Sequence, residues 1–151
     1  MKPVFRLERD DTTLPEIARQ IAESLLRQDP FCLWLKGPLG AGKTTITGHI
    51  LRCLGLGAKT PVTSPTYTYM NEYPVDKSWY AHLDLYRATA SLSSEDLGLV
   101  DARKFRGLFI EWPEKVAGDP NLRPTHVLEI STKAGAAANM RLFSFDVVSL
   151  N

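Results

Sequence analysis

The stretch that most constrains this chain is Gly37-Pro38-Leu39-Gly40-Ala41-Gly42-Lys43-Thr44-Thr45. The apolar run Phe31 to Leu35 precedes it and reads as a buried strand, while Ile46, Ile50, Leu51 and Leu54 follow it at helical spacing. Strand, glycine-rich turn and helix together form the setting in which G-x-x-x-x-G-K-[ST] binds phosphate. Glycines let the backbone curl until several N–H groups point at one anion, and the helix adds the positive end of its dipole. A glycine-rich structural turn is the competing reading, and the flanks on both sides count against it.

This loop implies a nucleoside triphosphate and Mg2+. Donors come from the stretch Gly40, Ala41, Gly42, Lys43, Thr44 and Thr45. Lys43 reaches the β- and γ-phosphates, and the Thr44 hydroxyl holds the cation. Pro38 has no N–H, but it stands at the start of the loop, where little is lost. Gly55 is placed to stop the helix.

Composition sets outer limits. A chain of 151 residues reads as one domain, 1–151, with a single core. Its 18 basic and 17 acidic side chains leave a net charge of +1, which supplies no electrostatic drive for autonomous nucleic-acid binding. No apolar run has the length of a membrane span, and Met1 to Asp11 is too charged for a signal peptide. The two cysteines, Cys32 and Cys53, read as small buried residues in a reducing compartment, and no Cys/His spacing suits a metal. These features indicate a cytoplasmic protein without a membrane partner.

Along the chain, Val4 to Leu7 reads as a short strand. Thr13-Leu14-Pro15-Glu16 has the form of a capping box opening an amphipathic helix through Leu26. Thr13 is a candidate to face the nucleotide base. Thr60 to Thr66 holds two prolines and four hydroxyl residues, so a regular helix is not expected there. Following the P-loop helix, it occupies the place of a first switch, where a hydroxyl or backbone group approaches the γ-phosphate or Mg2+. An ordinary surface loop is the alternative. Tyr67 to Tyr73 alternates as a strand.

In Trp79 to Tyr86, Trp79, Ala81, Leu83 and Leu85 share one face and Tyr80, His82, Asp84 and Tyr86 the other. The second face is expected to be exposed because of its polarity. Leu92 to Phe105 is expected to form short helices broken at Gly98. Gly107 to Glu111 is a buried-strand pattern ending in an acid, the layout of a Walker B strand. The acid there is usually Asp, and Glu111 is one methylene longer. Spacing alone leaves open whether Asp84 or Glu111 is the metal carboxylate. Trp112 reads as a packing residue, with stacking on a partner or base as the alternative, and the polar face His82, Asp84 and Tyr86 with Trp112 is a candidate docking surface. Thr125 to Thr132 and Met140 to Val148 form an antiparallel hairpin that continues the sheet.

The order of these motifs resembles that of the TsaE (YjeE) family. The residues carrying the resemblance are the P-loop, Val62-Thr63-Ser64-Pro65-Thr66-Tyr67, His82-Leu83-Asp84-Leu85-Tyr86-Arg87 and Ile110-Glu111-Trp112-Pro113-Glu114. It spans nearly the whole chain. It implies an α/β P-loop NTPase, a three-layer sandwich whose mostly parallel sheet ends in a C-terminal antiparallel hairpin. It further implies a slow Mg2+-dependent ATPase serving the TsaD–TsaB pair. That pair threonylcarbamoylates adenosine 37 of tRNAs, and hydrolysis here would reset the complex between turnovers. tRNA would be met only through the complex.

By the same resemblance Lys43 and Asp84 are the catalytic residues, Asp84 ordering water or coupling to partners, and Thr44 and Glu111 hold Mg2+. Ser64 and Thr66 lie in the switch-like loop, while the first helix and the C-terminal hairpin enclose adenine. Three rivals remain. A small-molecule kinase needs a lid for which the chain has no room, and a GTPase needs Asn-Lys-x-Asp and Asp-x-x-Gly, which are absent. The third is a nucleotide-gated binding module without functional hydrolysis.

Overall fold

The computed structural model describes residues 13–65, 68–99, 104–132 and 140–148, and residues 2–9 as backbone. Their order is β1 (Lys2–Arg9), α1 (Leu14–Leu25), β2 (Phe31–Lys36), α2 (Lys43–Leu54), β3 (Met70–Val75), β4 (Ser78–Asp84), β5 (Gly107–Glu111), β6 (His126–Ser131) and β7 (Arg141–Val147). Two 3-10 turns, Pro113–Val116 and Pro120–Leu122, lie between β5 and β6. The seven strands form one sheet in the order β1-β7-β6-β2-β5-β4-β3.

The apolar run at Phe31 therefore becomes the middle strand. It pairs in parallel with β5 on one side and β6 on the other, and β4 extends the parallel set. A strand in that place is covered on both faces, which is why its sequence is continuously apolar and not alternating. The C-terminal hairpin β6–β7 is antiparallel and adds to this sheet, with β1 pairing outside it. The other edge carries a second antiparallel hairpin, β3–β4, turned through Asp76 (φ 52°) and Lys77. No Asn-Gly or Gly-rich pair announces that turn; Asp tolerates the left-handed region it requires.

Both helices lie on one face. Ile17, Ile21 and Leu25 of α1 and Ile46, Ile50 and Leu51 of α2 are each at most 1% exposed, packed over Phe31, Leu33, Leu35, Phe109 and Leu128. Each such side chain contributes roughly 1.5–3 kcal/mol. The opposite face is covered by Leu85, Ala88, Leu99, Phe105, Val116 and Leu122, so its outer layer is made of turns and connections. Thr13 is the N-cap of α1 and Pro15 sits in the first turn, as the sequence indicates, although the Thr13 side chain makes no capping bond. Gly55 ends α2 at φ 117°.

Three expectations need correction. The polar face at β4 is exposed only toward its end: Tyr80 is 4% and His82 0% accessible, Asp84 is half-buried and Tyr86 is open, as is Trp79 at the strand's start. This face lies on the helix side, where the Tyr80 ring packs 5.9 Å from Phe31 and 6.4 Å from Phe109. Only Cys32 is a buried cysteine; Cys53, in the last turn of α2, is exposed. Residues 92–99 form turns without a helix, and residues 100–103 lie outside the described residues.

Candidate functional site

The parallel strands deliver their chemistry at one end. β4 ends at Asp84 and β5 at Glu111, which are register partners, and Leu35 of β2 pairs with the same Glu111. The loop leaving β2 closes against β6: a Cβ on Gly37 would stand 2.5 Å from the backbone oxygen of Ile130. Gly42 takes φ 104° at the N-cap of α2, a conformation that favours glycine. The first intrahelical bond runs from Ile46 N to Gly42 O at 2.9 Å. The N–H groups of Lys43, Thr44 and Thr45 therefore have no intrahelical acceptor, and the first turn carries no acidic side chain. An anion is the natural complement to that end. Ala41 N–H donates to Pro38 O at 3.1 Å within the loop.

Lys43 is buried beneath this loop. Its Nζ donates to Gly37 O (2.7 Å) and Pro38 O (3.0 Å) and lies 4.4 Å from the centre of the Trp112 ring. Desolvation lowers its pKa, while Glu111, Asp84 and Glu114 pull the other way. Trp112 follows Glu111 at φ 59°, an uncommon conformation for a bulky residue that costs about 1–3 kcal/mol. The ring packs on Tyr86 at 5.0 Å with the two planes tilted by 44°, so the aromatic pair and the lysine form one cluster.

The two acids have different neighbours. Thr44 Oγ1 donates to Glu111 Oε2 at 2.7 Å, and His82 Nε2 meets the same oxygen at 2.5 Å. Asp84 instead accepts from Ser64 Oγ at 2.5 Å and from Tyr86 N at 3.1 Å. A cavity of about 310 Å³ joins these groups, lined by Leu39, Gly40, Gly42, Lys43, Thr44, Thr45, Ser64, Asp84, Glu111 and Trp112. A second, of about 350 Å³, shares Gly40, Gly42 and Thr45 with it and continues along Leu14, Ala41, His49, Arg141 and Phe143.

Most candidates named from the sequence are thus gathered around one space. Thr13 sits one position before Leu14, the residue of that helix start that lines the second cavity. Thr66 lies outside the described residues. Sequence reasoning passed over His49, Arg141 and Phe143 individually and placed His82 in solvent. The signal for His82 was its position two residues before Asp84, on the same strand face. A larger cavity, about 500 Å³, lies between 91–96 and 115–121. Asp119 in its wall is already engaged, accepting from the backbone N–H groups of Ser94 and Asn121.

Among the described residues no group of three or more His, Cys, Asp or Glu could hold a metal ion. One hydroxyl and one carboxylate beside an anion site suit Mg2+, which commonly takes one or two carboxylates and completes its shell with phosphate and water. No helix among the described residues is long and apolar enough to cross a membrane.

Known proteins resemble this chain in sequence and fold. The chain is 36% identical over 116 residues to the tRNA threonylcarbamoyladenosine biosynthesis protein TsaE of Aquifex aeolicus, covering 76% of this chain and 79% of that protein. It is 35% identical to the Haemophilus influenzae TsaE, over 72% of this chain and 70% of the relative. The crystal structure of Bacillus subtilis YdiB superposes with a TM-score of 0.58 at 25% identity, covering 99% of this chain and 89% of that one. The family model described as threonylcarbamoyl adenosine biosynthesis protein TsaE matches residues 8–142, and the chain belongs to the TsaE family.

Proposed function

We propose that this chain is an ATP hydrolase that works with TsaD and TsaB in making threonylcarbamoyladenosine in tRNA. The carrying observation is the hydrogen bond from Thr44 to Glu111 beside Lys43, at the open N-terminus of α2. The family membership supports the pathway.

In this reading the N–H groups opening α2 and the Lys43 ammonium bind the β- and γ-phosphates. Thr44 and Glu111 hold Mg2+, which would offset charge on the phosphate oxygens. Thr44 can donate its hydrogen bond to Glu111 and still offer a lone pair to the cation. Asp84 orients the attacking water, and Ser64 ties the 60–65 segment to that carboxylate. The second cavity takes the adenine, with Leu14 and Phe143 as apolar walls. Water is the acceptor in this reading; among the described residues no arginine lines the cavity around Lys43.

Tyr86, 48% exposed, and Trp112 are the proposed contact with the partner proteins. His82 cannot belong to that contact, because it is buried. Phosphate release with and without TsaD–TsaB tests the reading. Stimulated release to water that is lost in Lys43→Ala supports it. Absence of stimulation, together with retained pathway function in Lys43→Ala, would favour a nucleotide-gated binding module. Alanine at Tyr86 and Trp112 should weaken the complex, and unchanged affinity would refute that contact.

A further inference from the structure

We infer that His82 is a positioning residue for the cation site: it holds the Glu111 carboxylate in the orientation from which that group and Thr44 share Mg2+. The inference rests on the reading of Thr44 and Glu111 as the cation's protein ligands.

Its basis is a pair of donors on a single oxygen. Oε2 of Glu111 accepts from Thr44 Oγ1 on α2 at 2.7 Å and meets His82 Nε2 on β4 at 2.5 Å. A carboxylate acceptor requires the hydrogen on Nε2. Contacts from two different elements fix the rotation of the carboxylate about its last torsion, and Oε1 has no protein donor among the described residues. Glu has one more side-chain torsion than the Asp usual at the end of this strand, so an additional restraint is needed to hold its head still. His82 supplies that restraint from the neighbouring strand, within a pairing that sets His82 opposite Phe109 and Asp84 opposite Glu111.

A purely packing role does not account for this ring. His82 is fully buried, yet its Nδ1 has no hydrogen-bond partner among the described residues. Buried polar atoms are nearly always paired. An apolar side chain would fill the space without stranding a nitrogen. What the imidazole adds is the Nε2–H aimed at Glu111, in the manner of the outer hydrogen bonds that orient metal-binding side chains elsewhere.

The test compares His82→Gln, which keeps an N–H donor, with His82→Met, which is of similar length and has none. Each variant is loaded with a non-hydrolysable ATP analogue and titrated with Mg2+ by calorimetry, and nucleotide affinity is also measured in EDTA. Removing such a restraint typically weakens metal binding about tenfold or more. The expected result is a half-saturating Mg2+ concentration raised about tenfold in His82→Met, largely restored in His82→Gln, with metal-free nucleotide affinity unchanged in both. Wild-type Mg2+ binding in His82→Met, with Glu111→Ala clearly weakened, overturns the role of His82 alone. Equal weakening in Gln and Met also overturns it, because a structural role would not distinguish them. If Glu111→Ala leaves Mg2+ binding unchanged, Glu111 is not a ligand, and the underlying reading fails together with the inference.

Discussion

Asp84 and Glu111 are register partners at the ends of adjacent parallel strands, yet their carboxylates are held by different elements. Glu111 is bound by the first turn of α2 through Thr44, and Asp84 by the 60–65 segment through Ser64. One acid is thereby tied to the phosphate loop and the other to the segment that follows its helix. This separation is the basis of the different tasks proposed for them.

Glu111→Ala should weaken Mg2+-dependent ATP binding by about tenfold or more, leaving metal-free binding near wild type. Asp84→Asn should bind ATP normally and hydrolyse it about 100-fold more slowly, a usual cost of removing a group that acts on the reacting water. Equilibrium binding and single-turnover hydrolysis separate the two effects, and the opposite pattern would exchange the roles.

Lys43→Ala removes the buried ammonium at the loop. Charge-assisted hydrogen bonds contribute about 1.5–3 kcal/mol, so ATP affinity should fall by roughly 10- to 100-fold. Titration with a fluorescent ATP analogue measures it. Binding at wild-type strength would mean that the phosphates lie away from this side chain.

Gly37→Ala places a methyl group 2.5 Å from the Ile130 carbonyl oxygen, a backbone atom that cannot swing aside. The loop or β6 must shift, at about 1–3 kcal/mol. A lower melting temperature together with weaker ATP binding is the expected result. Unchanged values in both assays would show that the contact relaxes freely.

His126 is 2% exposed, stacked on Phe145 at 5.6 Å, with Nδ1 2.7 Å from Thr125 Oγ1. Burial pushes its pKa down to about 4, against a smaller upward pull from the backbone of Ser24. Because the folded value lies below the unfolded one near 6.5, the unfolded chain takes up a proton first as pH falls. The stabilisation is complete above about pH 6.5 and drains away toward pH 4, by up to about 3 kcal/mol. Urea midpoints across this range should fall less steeply in His126→Gln. An identical slope in both proteins would remove His126 as the cause.

Much of this architecture is legible in the chain because its determinants are local. The phosphate loop is a contiguous run whose glycines, lysine and threonine act through their own backbone and the helix they open. The Leu14–Leu25 helix, the Gly107–Glu111 strand and the C-terminal hairpin follow from periodicity in the same way. The β3–β4 hairpin was harder to see, because its turn rests on Asp76 in the left-handed region without a glycine to mark it.

His82 shows where that local information ends. Alternation along β4 tells which residues share a face, and Tyr80, His82 and Asp84 do share one. It does not tell which face the helices will cover, because that depends on how α1 and α2 pack on strands remote in sequence. Polarity suggested solvent, but packing placed the histidine against an acid 29 positions away. The sequence by itself determined the phosphate loop, the elements around it and the acids at the strand ends. Only the tertiary structure decided which acid meets Thr44, which meets Ser64 and which side chain steadies Glu111, since each is a hydrogen bond of about 3 Å or less between distant segments.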